Sequence, residues 1–293
     1  MYAITGSTGN VGRAVAFHLQ NRNIPFKAVV RNAARAEELA AEGMLSVVAE
    51  LHDTQALTNA FTGVDGVFVM TPPLLDAENP LEDHTLMLQA LTEAIQTANP
   101  SKIVYLSSVG AQHQHGTGAI RKLYDMEQAF QKLNIPTVSI RAAWFMENFT
   151  GNMAAIRESG KLMSFISPTS KSIPMISAKD IGRLAAQLLQ EDWTGHRVVE
   201  FSGPCTYSCD DVAMVLEYLM ATKVSAVPVP ENEYQSAYLS FGFTQKAAAI
   251  MAEMNRGFNN DHIVFEGNGC ESVQGETLLE DCLRDIVKHR VRV

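Results

Sequence analysis

The first half of the chain alternates short apolar runs with amphipathic ones. Strand-like runs fall at Met1–Thr5, Phe26–Val30, Leu45–Val48, Val67–Met70, Lys102–Ser107 and Thr137–Arg141. Between them, Val11–Asn21, Ala34–Glu42, Asp53–Phe61, Leu81–Ala98 and Leu123–Leu133 place apolar residues at helical spacing. Asp53 or Thr54 supplies an N-cap for the third of these helices. Pro72-Pro73 ends the fourth strand at a position where proline removes no ladder hydrogen bond. Near-continuously apolar strands alternating with helices predict a parallel sheet covered on both faces, a doubly wound α/β (Rossmann) fold.

After about residue 150 the rhythm weakens. Ser159-Gly160 stops a helix, Ser172–Ile176 and Val198–Phe201 read as strands, and Ala178–Leu189 reads as a helix. From Gly203 onward the pattern is mainly helical, over Asp210–Met220, Glu231–Phe241, Gln245–Arg256 and Glu276–Val287. Gly257–Gly275, rich in Gly and Asn, reads as a loop. The expected organisation is a Rossmann domain over residues 1–150, joined by strands from 172–202. A smaller, mostly helical substrate-binding lobe over residues 151–293 lies across the carboxyl end of the sheet.

The sharpest motif is Thr5-Gly6-Ser7-Thr8-Gly9-Asn10-Val11-Gly12-Arg13, which leaves the first strand and opens the first helix. Gly6 permits a tight turn, Gly9 lets backbone approach a pyrophosphate, and Gly12 lets helix pack on strand. The spacing is one residue longer than G-x-G-x-x-G. At the end of the second strand, an NAD-type site would carry an acidic residue for the ribose 2′-hydroxyl. Here stand Arg31-Asn32, with no carboxylate before Glu37. A guanidinium at that point suits a 2′-phosphate or the adenine face, which favours NADP(H) over NAD(H). The alternative is a solvated strand-end arginine.

Composition narrows the partners. Of 293 residues, 46% are hydrophobic and 19% charged, which excludes a disordered or collagen-like chain. With 23 Lys+Arg against 32 Asp+Glu, the formal charge of −9 argues against nucleic acid as a ligand. No apolar run reaches the roughly 18–20 residues of a membrane span, and the N-terminus has no signal-peptide pattern. Cys205, Cys209, Cys270 and Cys282 form no C-x-x-C pair and read as free thiols of a reducing compartment, hence a cytoplasmic protein. Neither Cys205 with Cys209 nor the His113-x-His115 pair makes a convincing metal site, so no metal is expected.

Taken with Val30-Arg31-Asn32, Phe68-Val69-Met70-Thr71-Pro72-Pro73 and Leu106-Ser107-Ser108-Val109-Gly110-Ala111, the glycine loop resembles that of the NmrA-like atypical short-chain dehydrogenases/reductases. Ile140–Phe149, Ile173–Ile176 with Ala178–Ile181, and Glu276–Asp281 extend the resemblance along nearly the whole chain. Members of that family include NADPH-dependent quinone and triphenylmethane-dye reductases, and NADP(H)-sensing regulators with little or no catalysis. The resemblance implies that Gly6, Thr8, Gly9, Asn10 and Val11 wrap the pyrophosphate and that Arg31 meets the adenosine end. It places Thr71, Pro72 and Pro73 along the ribose and nicotinamide, with Ser107 and Ser108 below the ring. The chain departs from ordinary short-chain dehydrogenases in lacking Tyr-x-x-x-Lys. Several NmrA-like reductases place Lys or His four residues before the position of Glu127; here that position is Leu123, flanked by Lys122 and Tyr124.

Lys122, Tyr124 and Ser108 are therefore the catalytic candidates. Lys122 is equally readable as a solvated helix-start charge, and Ser108 as a hydroxyl bound to local backbone. Trp144 and Phe145 are the substrate-binding candidates, able to line an apolar pocket or simply to pack between lobes. His113 and His115 sit in a polar loop bordering the expected cleft. Tyr234, Tyr238 and Phe241 follow the spacing of a buried helix face. The expected activity is reduction of a small apolar acceptor such as a quinone, carbonyl compound or dye by direct hydride transfer. The alternative is an NADP(H)-sensing regulator. A homodimer or a regulatory protein partner stays open.

Overall fold

In the computed structural model, which describes residues 1–288, six strands alternate with five helices. These are β1 (Tyr2–Thr5), α1 (Asn10–Asn21), β2 (Phe26–Val30), α2 (Ala33–Ala41), β3 (Ser46–Val48), α3 (Thr54–Phe61), β4 (Gly66–Val69), α4 (Pro80–Ala98), β5 (Ile103–Ser108), α5 (Arg121–Phe130) and β6 (Thr137–Ala142). The remainder comprises β7 (Trp144–Phe145), α6 (Met153–Ser159), β8 (Lys161–Ser164), β9 (Ile173–Ile176), α7 (Ala178–Leu188), β10 (His196–Ser202), β11 (Thr206–Tyr207), α8 (Cys209–Met220), β12 (Ser225–Pro228), α9 (Tyr234–Ser240), α10 (Gln245–Asn259), β13 (Glu271–Gln274) and α11 (Leu279–Val287).

Eight strands form one sheet in the order β13-β10-β6-β5-β4-β1-β2-β3, and every neighbouring pair is parallel. Successive strand residues face opposite ways, and each face is buried. Ile4, Phe68, Val104 and Ile140 pack with Val15 and Leu19 of α1 and Ile181 and Ala185 of α7. Ala3, Val67, Val69 and Tyr105 pack on the other side with Phe61 of α3, Leu91 of α4 and Phe130 of α5. The α1–α7 contact is close because Gly182 has no side chain: a Cβ there would stand 2.3 Å from the Ala14 Cβ. No helix among the described residues is long and apolar enough to cross a membrane.

Two stretches differ from the sequence reading. Of the strands expected from 172–202, only β10 enters the large sheet; β9 pairs with β7 and β11 in a separate three-stranded sheet. Pro174 within β9 has no N–H to give to a long ladder, which suits that short pairing. The stretch read as a loop over 257–275 contains the end of α10 and the edge strand β13. Its sequence Glu-Ser-Val-Gln packs only Val273 against the core, so it lacks the apolar run that marks an interior strand.

A third apolar core begins at Val109 and Ala111, just past the end of β5. It runs through Met146, Leu162, Val212, Phe258 and Leu283 into the second half of the chain. The lobe is thereby rooted at the carboxyl edge of the sheet.

One buried ion pair lies on the second of these faces, under α5. Glu127 on α5 and Arg141 on β6 are both buried. Arg141 donates from Nη2 to Glu127 Oε2 at 2.7 Å and from Nε to Oε1 at 3.0 Å. Ser107 and Ser139 donate their hydroxyls to the same Oε1 at 2.6 and 2.7 Å. Arg141 Nη1 also reaches Glu266 at 2.5 Å. Burial alone disfavours the guanidinium charge, but the hydrogen bonds and charge of Glu127, then those of Glu266, hold its pKa above the ordinary value. Replacing Arg141 with Met strands the Glu127 carboxylate and should cost about 3–5 kcal/mol, read as a lower denaturant midpoint at unchanged slope. Adding Glu127→Gln to that variant should recover part of the loss, because the uncompensated charge is then gone.

Candidate active site

Strand order reverses between β1 and its neighbours β2 and β4, the switch point at whose carboxyl ends open α/β sheets bind ligands. The glycine loop leaves β1 at that point. Gly6 adopts φ +66°, and a Cβ on it would lie 2.5 Å from the Met70 side chain. Gly12 sits where helix meets loop, and a Cβ there would lie 2.2 Å from the Gly6 carbonyl oxygen. Gly9 is different: it is extended at φ −91°, and a Cβ would meet only the Gly6 oxygen at an ordinary 3.5 Å. Gly6 and Gly12 are therefore required by the fold, whereas the backbone at Gly9 faces open space. No side chain caps the start of α1 and its first turn holds no acid, so its leading N–H groups suit an anion. Thr8 and Asn10 are exposed on the loop; Val11 turns its side chain into the core and offers only its backbone.

Thr5 ties the two strand ends together. Its hydroxyl accepts from the Met70 N–H at 2.8 Å and donates to the Met70 carbonyl at 3.1 Å. Beyond this tie, the buried hydroxyls of Ser7 and Thr71 have no hydrogen-bond partner. Ser7 escaped the sequence reading because it sits between two glycines as an ordinary loop serine; only its burial distinguishes it.

The β4 extension is held from the other side by α5. Lys122 Nζ donates to the Pro72 carbonyl at 2.7 Å, and burial brings the ammonium down to about 8. Leu123 instead packs into the core, so the cation at this point comes from one residue earlier. Tyr124 does not join it: positions two apart on a helix diverge by about 200°, and the Tyr124 hydroxyl has no hydrogen bond among the described residues. His84 on α4 lies close enough to feel the Lys122 charge. Burial first and that charge second lower its pKa to about 3, so it is a neutral imidazole.

Arg31 is exposed at the end of β2. Its neighbours are already engaged: Asn32 caps α2 by accepting from the Arg35 N–H at 3.1 Å, and Arg35 pairs with Glu38 at 2.7 Å. Pro73 is exposed, while Pro72 is half-buried beneath Lys122. Ser107 is not free for a ligand, since its hydroxyl is buried on Glu127. Ser108 donates to the Val109 carbonyl at 3.0 Å, the local backbone bond.

Trp144 and Phe145 do not share a pocket. As neighbours on β7 they point to opposite sides: Trp144 joins the lobe core, and Phe145 packs on the Rossmann core. Trp144 meets Phe258 edge-on at 5.2 Å, and its buried Nε1 donates to nothing. His113 stacks on His262 at 4.2 Å, and His262 Nε2 contacts the His115 carbonyl at 2.9 Å, which closes the loop after β5 onto the lobe. Tyr234 and Tyr238 are lobe core around Phe165. The adjacent Thr244 hydroxyl donates to the Ala77 carbonyl at 2.7 Å, which ties the lobe to the segment after Pro73. A cavity of about 390 Å³ lies on the other flank of the glycine loop, between α1, the start of α7 and α11, and Thr71, Pro72 and Lys122 do not line it.

The Glu127–Arg141 pair carried a sequence signal that went unused. Two opposite charges stand in otherwise apolar or small-residue faces, Glu127 between Met126 and Phe130, and Arg141 inside an apolar strand. Buried charges are seldom unpaired.

The profile of the NmrA-like family matches residues 2–284. The NAD(P)H azoreductase of Xenophilus azovorans is 30% identical over 255 residues, covering 87% of this chain and 86% of the relative. Quinone oxidoreductase 2 of Escherichia coli (strain K12) is 25% identical over 260 residues, covering 88% and 87%. The NADPH complex of an E. coli NADPH-dependent quinone oxidoreductase superimposes with a TM-score of 0.80 at 22% identity, covering 98% of this chain and 100% of that one. The Citrobacter sp. triphenylmethane reductase complexed with NADP(H) gives 0.79 at 21% identity, covering 98% and 99%. At that identity the two structures establish the shared fold.

The glycine geometry separates positions the fold requires from one it leaves open. Gly12→Ala should destabilise by about 1–3 kcal/mol through overpacking. Gly9→Ala should leave the thermal midpoint nearly unchanged. Equal losses in calorimetric melts would contradict the assignment.

Proposed function

The chain belongs to the NmrA-like family, and from that premise we propose that it is an NADPH-dependent reductase of a small apolar acceptor, such as a quinone, an azo compound or a dye. The observation that carries the reading is the open backbone at Gly9, beside an uncapped helix start and the unpartnered hydroxyls of Ser7 and Thr71. This donor set fits NADP(H): a pyrophosphate needs backbone N–H groups, and a ribose needs hydroxyl partners. The relatives named for NAD(P)H, quinone and azo reduction support the same reading.

When bound, the reduced nicotinamide supplies the hydride. The chain supplies the rest. Gly9 and the first turn of α1 hold the pyrophosphate, Ser7 and Thr71 hydrogen-bond along the cofactor, and Arg31 takes the 2′-phosphate. Lys122 keeps a proton on Nζ at the strand-end carbonyl of Pro72. The apolar lobe rooted at Val109 and Ala111 excludes water from the acceptor. A regulator that senses NADP(H) needs the same cofactor residues, and Leu123 in place of Lys or His favours it. The reach of Lys122 to Pro72 provides the missing cation from the adjacent position, which supports the enzyme.

Arg31→Ala should weaken NADPH binding by about 1.5–3 kcal/mol and leave NADH nearly unaffected. Calorimetric titration of both cofactors checks this, and equal weakening would remove the 2′-phosphate role.

The activity itself is tested by NADPH oxidation with quinone, azo and dye acceptors. Absence of turnover, together with distinct protease-cleavage patterns in NADPH and NADP⁺, would favour the regulator. With Lys122 as proton donor, the rate should fall as pH rises through about 8. Lys122→Met should abolish that limb and cost about 10²–10⁴ in rate. The same group marks stability. Its folded pKa lies below the unfolded value, so the unfolded chain binds more protons above pH about 8. Stability from this group therefore rises from there to the ordinary lysine range, and Lys122→Met should flatten that rise.

A further inference from the structure

Three buried polar atoms without a partner follow the tips of strands on one side of the sheet. Ser7 Oγ lies just past β1, Thr71 Oγ1 just past β4, and Trp144 Nε1 just past β6. In sheet order, β1, β4, β5 and β6 are consecutive. At about 4.8 Å per strand the row spans roughly 14 Å along the carboxyl edge. The first two atoms belong to the cofactor site. Trp144 lies at the far end of the row.

The Trp144 ring is held from two directions. β7 pairs with β9 in fixed register, Trp144 opposite Met175, and Phe258 abuts the indole at 78°. The ring is only half-buried, while its one polar atom is covered and unpaired. An apolar contact alone would be met by Phe or Leu; an indole places an N–H in a fixed direction. Leaving that donor unpaired is unfavourable, and a ligand atom that accepts from it removes the penalty.

On the reductase reading above, we propose that Trp144 Nε1 is the hydrogen-bond donor that orients the carbonyl oxygen of a quinone or related ketone acceptor. The acceptor takes a hydride and a proton while NADPH becomes NADP⁺, and the electron pair displaced within the acceptor collects on that oxygen. A fixed donor to that oxygen strengthens its hydrogen bond as the charge develops. A triphenylmethane carbocation dye differs, because its central carbon receives the hydride and its positive charge is simply neutralised. Trp144 thus sets a preference for oxygen acceptors over such dyes, beyond its apolar area.

The test compares Trp144→Phe with the native chain at saturating NADPH, using a quinone and a triphenylmethane dye. Phe keeps most of the ring and removes the donor. The quinone-to-dye ratio of kcat/KM should fall about 10- to 100-fold, with NADPH affinity intact. Trp193→Phe is the control: Trp193 Nε1 is also unpartnered, but that residue precedes β10 at the opposite edge of the sheet, and the ratio should not move. A second measurement needs no turnover. Redox-inert fluorenone should bind the NADP⁺-loaded native chain about 5- to 10-fold more tightly than fluorene, and Trp144→Phe should abolish the difference. Equal loss of quinone and dye turnover, or an unchanged fluorenone preference, overturns the inference while leaving the reductase reading intact. A native chain that turns over neither acceptor overturns the reading, and the inference falls with it.

Discussion

The buried contact between Glu127 and Arg141 fixes which residues of α5 reach the strand ends. It joins α5 to β6, takes in Ser107 of β5 and Ser139 of β6, and extends to Glu266 in the lobe. A helix can rotate about its axis at little cost when only apolar side chains meet a sheet, because dispersion contacts are non-directional. A carboxylate that must receive two guanidinium N–H groups and two hydroxyls cannot rotate. The phase of α5 is therefore set at Glu127. The start of the same helix then has no choice about which residue reaches the strand ends. Lys122 meets Pro72, and Leu123 is committed to the core. Whether such a pair adds net stability over a hydrophobic substitute is a separate question, often answered in the negative. Its clear consequence here is orientation.

The fold was legible in the chain because its strands are buried on both faces. Continuous apolar runs, separated by amphipathic helices, leave few alternatives to a doubly wound parallel sheet. The glycine loop was legible for the same kind of reason, since steric limits at Gly6 and Gly12 leave glycine as the residue that fits. What escaped was polar or sat at an edge. Glu271-Ser272-Val273-Gln274 forms the last strand of the sheet with a sequence indistinguishable from a loop, because an edge strand needs only one apolar contact. Ile173–Ile176 has strand composition, but nothing in it says which sheet it joins. That is decided by β7 and β11, two-residue partners too short to read.

The side chains of the site were less legible than its backbone. Ser107 stands beside the expected nicotinamide position in sequence, yet its hydroxyl is drawn inward by a carboxylate on the neighbouring helix. Trp144 and Phe145 looked like one aromatic cluster, but a strand sends consecutive residues to opposite faces, and a two-residue strand is enough to do so. Lys122 and Tyr124 flank one position in the chain but diverge around the helix. In each case neighbours in sequence are not neighbours in space, because the local period, 2.0 or 3.6 residues, decides otherwise.

These periodicities account for how a chain without Tyr-x-x-x-Lys can still present a cation at the strand ends. The Tyr/Lys arrangement puts both groups on one helix face, four residues apart. Here a single lysine from the first turn of α5 reaches a carbonyl of the β4 extension, and burial lowers the cost of releasing its proton. His84 cannot take over the charge, because a second cation in the same enclosure is disfavoured by burial and by Lys122 itself. Of these two groups, Lys122 is therefore the one that carries the charge. Across the sheet tip, the lobe core contributes the fixed indole of Trp144. On the proposed reading, proton and orientation are held on different elements, α5 and β7, which are connected through β6 and its Arg141. An acceptor with little polarity of its own suits this division, since it asks for one proton, one directed contact and a dry wall.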